Sequence, residues 1–209
     1  MSSMSDFARY GVATVHEAMG RRGIIDIPLI QVVPGSRAAG PARTVRCGQG
    51  DNLMVHAALS TVLAGEVLVL TLPEPASFSL VGELIAIQAA YRHVAGILVD
   101  AAVRDFDELV AIGLPIWARW IRASGTTKDF VGSVNQPVSV GGVKITPGDI
   151  VVLDADGAVV VPAADQEAVL KAAAERVARE DEARARYKAG SLTYDLQGLR
   201  AKVEGPSQG

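Results

Sequence analysis

The chain has 209 residues, of which 49% are hydrophobic and 5% aromatic, with 21 glycines and a net charge of −3. This composition favours one α/β domain of small, closely packed side chains, and the charge disfavours nucleic acid as a partner. Because the chain has a single cysteine, no apolar secretion signal at its N-terminus and no run long enough to span a bilayer, we expect a cytoplasmic protein without a membrane partner.

A short helix is predicted over Thr14–Gly20, the first element along the chain. Thr14 is its N-cap, Glu17 stands at the capping-box position, and Gly20 ends the helix. This capping role explains Glu17 without any chemistry.

The next elements are a strand and a helix joined by a glycine-rich turn. The strand is predicted over Ala42–Cys47, and the helix follows Asn52. His56 lies on the apolar stripe of this helix, where a histidine is more often a core residue than a catalyst.

The middle of the chain predicts two successive βαβ units. Its first strand, Glu66–Leu72, is a continuous apolar run of the kind that is buried in parallel sheets. The elements that follow are a helix from Gly82 to Gly96, a strand Ile97–Val99 ending on Asp100, a helix from Asp105 and a strand Pro115–Ala118.

Four charged residues fall at the strand ends and helix starts of these units, where ligands of such sheets bind. They are Glu83, Asp100, Arg104 and Asp105. An acid at a helix start is also explained as a cap. As chemistry, Asp105 offers a hard oxygen ligand for magnesium, and Arg104 offers a cationic fork for a carboxylate or an enolate oxygen. Together they describe a site for a small 2-oxo acid anion.

A lysine Schiff base is the competing route to carbon–carbon cleavage beside a carbonyl. It is disfavoured because all the lysines fall outside the βα section: Lys128, Lys144, Lys171, Lys188 and Lys202.

Short strands with tight turns follow from Val138 to Val161 and form a small β-layer. Asp154 and Asp156 belong to one of these turns rather than to a calcium loop, because the EF-hand spacing is absent. A long helix is predicted from Asp165, as its cap, to about Tyr187. The expected organisation is one α/β catalytic domain over 1–164, with a C-terminal helix and tail over 165–209 that pack on the domain or on a neighbouring subunit.

Five segments together span nearly the whole chain and form a recognisable pattern. They are PGSRAAGPARTV (34–45), GDNLMVHAAL (50–59), GEL (82–84), DAAVRDFDEL (100–109) and VSVGGVKITPGDIVVLDADGAVVVP (138–162). On these segments the chain resembles the family that joins 4-hydroxy-4-methyl-2-oxoglutarate aldolases with the regulators of ribonuclease activity A (RraA). The resemblance implies a swivelling phosphohistidine-domain-like βα sandwich with a C-terminal helical extension.

The stretch around Arg104 distinguishes the two branches of that family. The aldolases have an acid, twenty intervening residues, an Arg-Asp pair and a further acid three positions on, which Glu83, Arg104, Asp105 and Glu108 match. Where the aldolases have aspartate as the first acid, this chain has glutamate. The ribonuclease regulators lack the aspartate after the arginine, so Asp105 favours an enzyme.

The resemblance also implies roles for individual residues. Asp105 would bind Mg²⁺ or Mn²⁺, and Arg104 would bind substrate and stabilise the pyruvate enolate. Backbone N–H groups of Leu84 and Ile85, in the helix that starts after Gly82, would hold the pyruvyl carboxylate.

Three further residues match active-site positions of the family. His56 falls on its active-site histidine, whereas Glu17 and Glu180 match acids that reach the site from a neighbouring subunit of a homotrimer or hexamer. The implied activity is metal-dependent cleavage of a 4-hydroxy-2-oxo diacid to pyruvate and a second oxo acid, with oxaloacetate decarboxylation as a side reaction. The alternative is a non-catalytic RraA-like regulator that binds a ribonuclease or a helicase.

Overall fold

Continuous runs of buried aliphatic residues form the strands at the centre of the fold. The computed structural model describes residues 3–205, so residues 206–209 of the predicted tail lie outside it. The strands are β1 (Ile30–Gln31), β2 (Ala38–Arg46), β3 (Val67–Thr71), β4 (Ser79–Val81), β5 (Gly96–Val103), β6 (Ile116–Ile121), β7 (Ser133–Val134), β8 (Val138–Val140), β9 (Val143–Ile145), β10 (Ile150–Asp154) and β11 (Gly157–Val161). The helices are α1 (Ser3–Ala18), α2 (Leu53–Thr61), α3 (Glu83–Tyr91), α4 (Phe106–Ile112), α5 (Gln166–Lys188), α6 (Thr193–Leu196) and α7 (Leu199–Glu204).

A mixed sheet of nine strands carries the fold. Its order is β1-β6-β5-β3-β2-β10-β11, with β4 paired to β5 and β7 paired to β2. The β2–β3, β3–β5, β4–β5 and β5–β6 pairs are parallel, and α2, α3 and α4 are the crossovers of this section. The predicted α/β class with a C-terminal helical extension is therefore confirmed.

The hydrophobic core consists of three clusters, which pack on different parts of the sheet. One face packs against α2, α3 and α4 around Leu70, Val99 and Leu109. The other face, which includes Trp117, packs against the hairpin β8–β9. A third cluster joins α1 and α5 to β10 and β11. The parallel strands are buried on both faces, which explains their uninterrupted apolar sequences.

Helix α1 differs from the prediction at its start. It begins at Ser3 rather than at Thr14, and its helical geometry is interrupted at Gly11, where φ is 78° and ψ is 173°. The N–H of Val12 donates a hydrogen bond of 2.9 Å to Oδ2 of Asp154, so the restarted helix is capped by a distant side chain. Oδ1 of Asp154 accepts the N–H of Asp156, which confirms the predicted turn there.

Strand β5 continues past its predicted end, so Asp100 lies within the strand and not at the cleft. Asp100 is only 4% exposed, and one of its carboxylate oxygens lies 3.0 Å from Nη1 of Arg119 on β6. Burial raises the pKa of Asp100, and Arg119 opposes that rise. Asp100 is therefore an internal ion-pair partner, and the expectation that it meets the other charges at the strand ends is wrong.

Helix α5 confirms the predicted C-terminal helix and packs against α1 through its first turns. Val169 and Ala173 are buried, whereas most of the remaining surface is charged. Asp165 stands at the N-cap position without a side-chain capping hydrogen bond, so its predicted capping role is wrong. Between residues 3 and 205, no helix is both long and apolar enough for a membrane crossing.

Candidate active site

A cleft of about 190 Å³ lies where β4 and β5 end and α3 begins. Its lining consists of Asn52, His56, Ser79, Gly82, Leu84, Ile85, Arg104, Asp105, Gly125, Thr126 and Lys128. Most of the predicted site residues are thus brought together. A larger cleft of about 310 Å³, beside Arg46 and Lys144, contains none of them.

Asp105 is held in an unusual backbone conformation. It has φ 56° and ψ 50°, in the left-handed region that non-glycine residues rarely occupy, and it stands at the N-cap position of α4. Its side chain makes no capping bond to α4. Instead Oδ2 accepts the N–H of Glu83 at 3.1 Å and lies 3.5 Å from Nε of Arg104. The strained turn therefore aims the carboxylate at the start of α3, and strain of this kind is typical of functional sites.

Gly82 makes room for the charge pair. Its φ of −137° is accessible to any residue, so the requirement is one of space. A Cβ at this position would lie 2.5 Å from Oδ2 of Asp105 and 3.1 Å from Cγ and Nε of Arg104. Only glycine therefore allows both side chains to approach the backbone at the start of α3.

The start of α3 supplies one wall of the cleft. The N–H of Glu83 donates to Asp105, and the N–H of Ile85 donates to Gly82 O at 3.2 Å. Of the two backbone groups assigned to the pyruvyl carboxylate, that of Ile85 thus already has a partner in the chain. The helix dipole adds positive potential at this wall. The Glu83 side chain is half-buried and is not among the residues that line the cleft.

Two buried polar atoms in the cleft have no hydrogen-bond partner within the described residues. They are Oδ1 of Asn52 and Nε2 of His56. The amide nitrogen of Asn52 donates to Leu80 O at 3.3 Å, which orients Oδ1. Burial, and then the charge of Lys128, lower the pKa of His56, so a neutral imidazole faces the cleft at neutral pH. Unpaired buried polar atoms need an explanation in a native structure, and a polar ligand supplies one.

Lys128 is the residue that sequence reasoning missed. It was set aside because it lies outside the βα section, yet it lines the cleft beside His56. Asp51, 76 residues before Thr127, brings it there: Oδ2 of Asp51 accepts bonds from the Thr127 hydroxyl and from the N–H groups of Asp129 and Phe130. No local pattern near Lys128 could have indicated this contact.

The donor set of the cleft fits a hard divalent cation held by few protein ligands. Asp105 contributes a carboxylate that is 37% exposed, and within residues 3–205 no group of three or more His, Cys, Asp or Glu side chains could hold a metal. Zinc sites need such a group, whereas magnesium often takes one or two carboxylates and keeps several waters. The Asp105 carboxylate is therefore the group of the cleft whose chemistry suits such an ion.

The structure brings Glu17 and Glu180 together, but away from the cleft lining. Oε2 of Glu17 lies 3.5 Å from Nη1 of Arg176, and Oε1 of Glu180 lies 2.8 Å from Nε of the same residue. Glu17 also pairs with Arg21 at 3.1 Å. Their action from a neighbouring subunit stays a prediction.

Comparison with known proteins gives consistent matches over most of the chain. The family model described as "RraA-like: Aldolase/RraA" matches residues 12–160. A curated protein of Halalkalibacterium halodurans, named "Putative 4-hydroxy-4-methyl-2-oxoglutarate aldolase", is 36% identical over 168 residues, which are 80% of this chain and 78% of that protein.

Solved structures share the fold. An uncharacterized protein from Pseudomonas syringae pv. tomato superposes with a TM-score of 0.80 at 24% identity, over 92% of this chain and 95% of its own. The RNA-processing inhibitor RraA from Thermus thermophilis superposes with a TM-score of 0.60 at 30% identity, over 64% of this chain and 81% of its own.

Proposed function

The chain belongs to the RraA-like family, Aldolase/RraA, and on that premise we propose that it is a divalent-metal-dependent pyruvate aldolase. The proposed reaction cleaves a 4-hydroxy-2-oxo diacid of the 4-hydroxy-4-methyl-2-oxoglutarate type to pyruvate and a second oxo acid. The observation that carries the proposal is the position of Asp105 and Arg104, whose side chains meet at the start of α3 on the wall of a polar cleft.

In the proposed mechanism, the 2-oxo acid binds at the start of α3. The Leu84 N–H and the helix dipole hold its carboxylate, and the guanidinium of Arg104 binds beside the 2-oxo group. A divalent ion held by Asp105 would polarise that oxo group as a Lewis acid. Asp105 and Arg104 are prearranged at a fixed distance, which favours charge stabilisation in the transition state.

Cleavage requires removal of the proton from the 4-hydroxyl group. As that proton leaves, the C3–C4 bond breaks and its electron pair passes toward the oxo oxygen, where Arg104 stabilises the negative charge. Glu83 and the neighbouring subunit's copies of Glu17 and Glu180 are proposed to position or activate the water that relays this proton. His56, a half-buried residue whose pKa is lowered by burial and by the charge of Lys128, is proposed to hydrogen-bond the reacting hydroxyl. Protonation of C3 then gives pyruvate.

Oxaloacetate decarboxylation follows from the same arrangement. Loss of carbon dioxide from oxaloacetate leaves an electron pair that also passes toward the 2-oxo group, so Arg104 and Asp105 serve both reactions.

A non-catalytic regulator is the second candidate, because the RNA-processing inhibitor RraA from Thermus thermophilis has a similar fold and sequence. The resemblance described above favours the enzyme, since the regulators lack an acid at the position of Asp105. A pull-down of a ribonuclease or a helicase with this chain would support the regulator.

Pyruvate release tests the aldolase. Pyruvate should appear from 4-hydroxy-4-methyl-2-oxoglutarate and from oxaloacetate with magnesium, and chelation should abolish it. Asp105→Ala should lower kcat/KM at least about a hundredfold, since both the ion and the partner of Arg104 are lost. Asp107→Ala, an exposed acid in the first turn of α4, is the matched control and should resemble the wild type. An Asp105→Ala variant with wild-type, chelator-resistant activity would refute the proposal.

A further inference from the structure

Lys128 is a cation in the cleft whose charge the chain leaves uncompensated. The charged side chains of the lining are Arg104, Asp105 and Lys128. Arg104 lies within 3.5 Å of Asp105, whereas none of the ion pairs among residues 3–205 includes Lys128. Because Arg104 is paired with Asp105, Lys128 is the positive charge of the cleft that remains for an anionic ligand.

The backbone on both sides of Lys128 is anchored, while the Lys128 side chain itself is exposed at the cleft. The carboxylate of Asp51 is fully buried and accepts hydrogen bonds from Thr127, Asp129 and Phe130, the residues on both sides of Lys128. Asp51 and Thr127 also form a β-bridge. A cation on such an anchored segment loses less conformational entropy when it binds a ligand.

Lys128 and His56 line the same cleft. Burial, and then the charge of Lys128, lower the pKa of His56. The hydroxyl of Thr126 lines the same cleft. A carboxylate is the ligand group that accepts from an ammonium and a hydroxyl together.

We propose that Lys128 binds the distal carboxylate of the substrate and thereby makes the cleft select diacids over monoacids. The substrate class named here rests on the proposed function. The pyruvyl end is assigned to Arg104 and the start of α3, which leaves Lys128 for the carboxylate at the other end. An uncharged end group would leave Lys128 desolvated without a partner, which penalises the monoacid.

A binding measurement tests this assignment without turnover. 2-Oxoglutarate and 2-oxopentanoate have the same five carbons and the same 2-oxo acid end, but only the first has a distal carboxylate, and neither carries the 4-hydroxyl that cleavage needs. With magnesium present, calorimetry should show the wild type binding 2-oxoglutarate more tightly. Lys128→Met should weaken 2-oxoglutarate binding about tenfold or more, the usual scale for a hydrogen bond to a charged group, and change 2-oxopentanoate binding less than about threefold. Lys128→Arg should retain most of the preference.

Lys171→Met, an exposed lysine on α5, is the matched control and should bind both acids as the wild type does. The inference is overturned if Lys128→Met weakens both acids equally, if it weakens neither, or if the wild type binds neither acid or shows no preference between them. Borohydride trapping of pyruvate on Lys128, detected by mass spectrometry, would also overturn it, because the lysine would then act as a Schiff-base nucleophile.

A kinetic comparison separates this inference from the proposed function. The ratio of kcat/KM for 4-hydroxy-4-methyl-2-oxoglutarate to that for 4-hydroxy-2-oxopentanoate should fall at least about tenfold in Lys128→Met. If the wild type releases no pyruvate from either compound, the proposed function fails, and the binding of the two oxo acids still decides the role of Lys128.

Discussion

At the scale of single residues, the site depends on a close approach between Gly82 and the pair Arg104–Asp105. The left-handed conformation of Asp105 directs its carboxylate away from α4, and the missing side chain at Gly82 gives that carboxylate space at the N–H of Glu83. The cost of the strained conformation is on the order of 1–3 kcal/mol, which the contacts around it must offset. The geometry of the pair is therefore set jointly by β5, α4 and the residue before α3.

Gly82→Ala tests this joint requirement. The added methyl group would displace the Asp105 carboxylate and the Arg104 side chain, while the backbone of residue 82 suits alanine. We expect kcat/KM for pyruvate release to fall roughly a hundredfold, the usual effect of a misplacement of about 1 Å at a reacting centre. Circular dichroism and Tm should show a folded protein. Wild-type kinetics in Gly82→Ala would mean that the close approach has no catalytic importance.

The pair Arg104–Asp105 could be predicted from the sequence because both residues follow a strand and precede a helix, a local arrangement that the chain order reveals. Asp100 could not be assigned correctly, because its partner Arg119 lies on a neighbouring strand and keeps the acid inside the sheet. Lys128 was missed for a related reason, since its neighbours in the chain are held at the cleft by hydrogen bonds to Asp51, which is distant in sequence.

At the scale of elements, the loop 125–130 is positioned by the buried carboxylate of Asp51 together with backbone hydrogen bonds that join Thr127 to Gly50 and Asn52. Oδ1 of Asp51 accepts a hydrogen bond of 2.8 Å from the N–H of Leu53, and Oδ2 accepts hydrogen bonds from the loop. Burial alone would raise the pKa of Asp51, but these hydrogen bonds outweigh burial and lower it below its usual value. Asp51 thus joins the start of α2, which carries His56, to the loop that carries Lys128.

Asp51→Asn should therefore loosen the loop and destabilise the fold. An amide would place donor hydrogens against the donors of Thr127, Asp129 or Leu53, so we expect a loss of about 3 kcal/mol in the free energy of unfolding at pH 7. Because the native pKa is lowered, the contribution of Asp51 is complete above its unfolded pKa of about 4 and is lost as the pH falls through the native value. The difference between variant and wild type should shrink below pH 4 in urea titrations.

Asp129→Asn is the control for this experiment, since the side chain of Asp129 is exposed and only its backbone contacts Asp51. It should leave the free energy of unfolding within about 0.5 kcal/mol of the wild type. A pH-independent difference between Asp51→Asn and the wild type would show that the carboxylate is not the group that matters.

Element boundaries show where local sequence is sufficient. The apolar runs of β3 and β5 identified buried strands, because parallel strands covered on both faces leave no polar alternation. The start of α1 was misplaced, because the helix breaks at Gly11 and its restart is capped by Asp154, 142 residues beyond Val12. Thr14 satisfies the local rule for an N-cap, but the helix had already restarted at Val12.

At the scale of the whole molecule, two of the predicted site acids lie on a surface separate from the cleft. Glu17 on α1 and Glu180 on α5 converge on Arg176, and none of the three lines the cleft of its own subunit. The contact between α1 and α5 keeps the two acids together as one unit. If they serve the reaction, a neighbouring subunit must bring them to the cleft, and the site is then complete only in an oligomer.

Mixed oligomers test this arrangement. Asp105→Ala lacks the proposed metal ligand, and Glu180→Gln lacks an acid that we expect to act in trans, so each variant alone should be at least about tenfold less active than the wild type. In the proposed cyclic assembly each site would combine Asp105 of one subunit with Glu180 of the next. Random mixing of equal amounts of the two variants should therefore restore roughly a quarter of all sites, and each mixed trimer should have about one competent site in three. Co-expression with two affinity tags isolates the mixed species, and pyruvate release measures recovery. Full activity of Glu180→Gln alone, or no recovery on mixing, would show that Glu180 does not complete a neighbour's site.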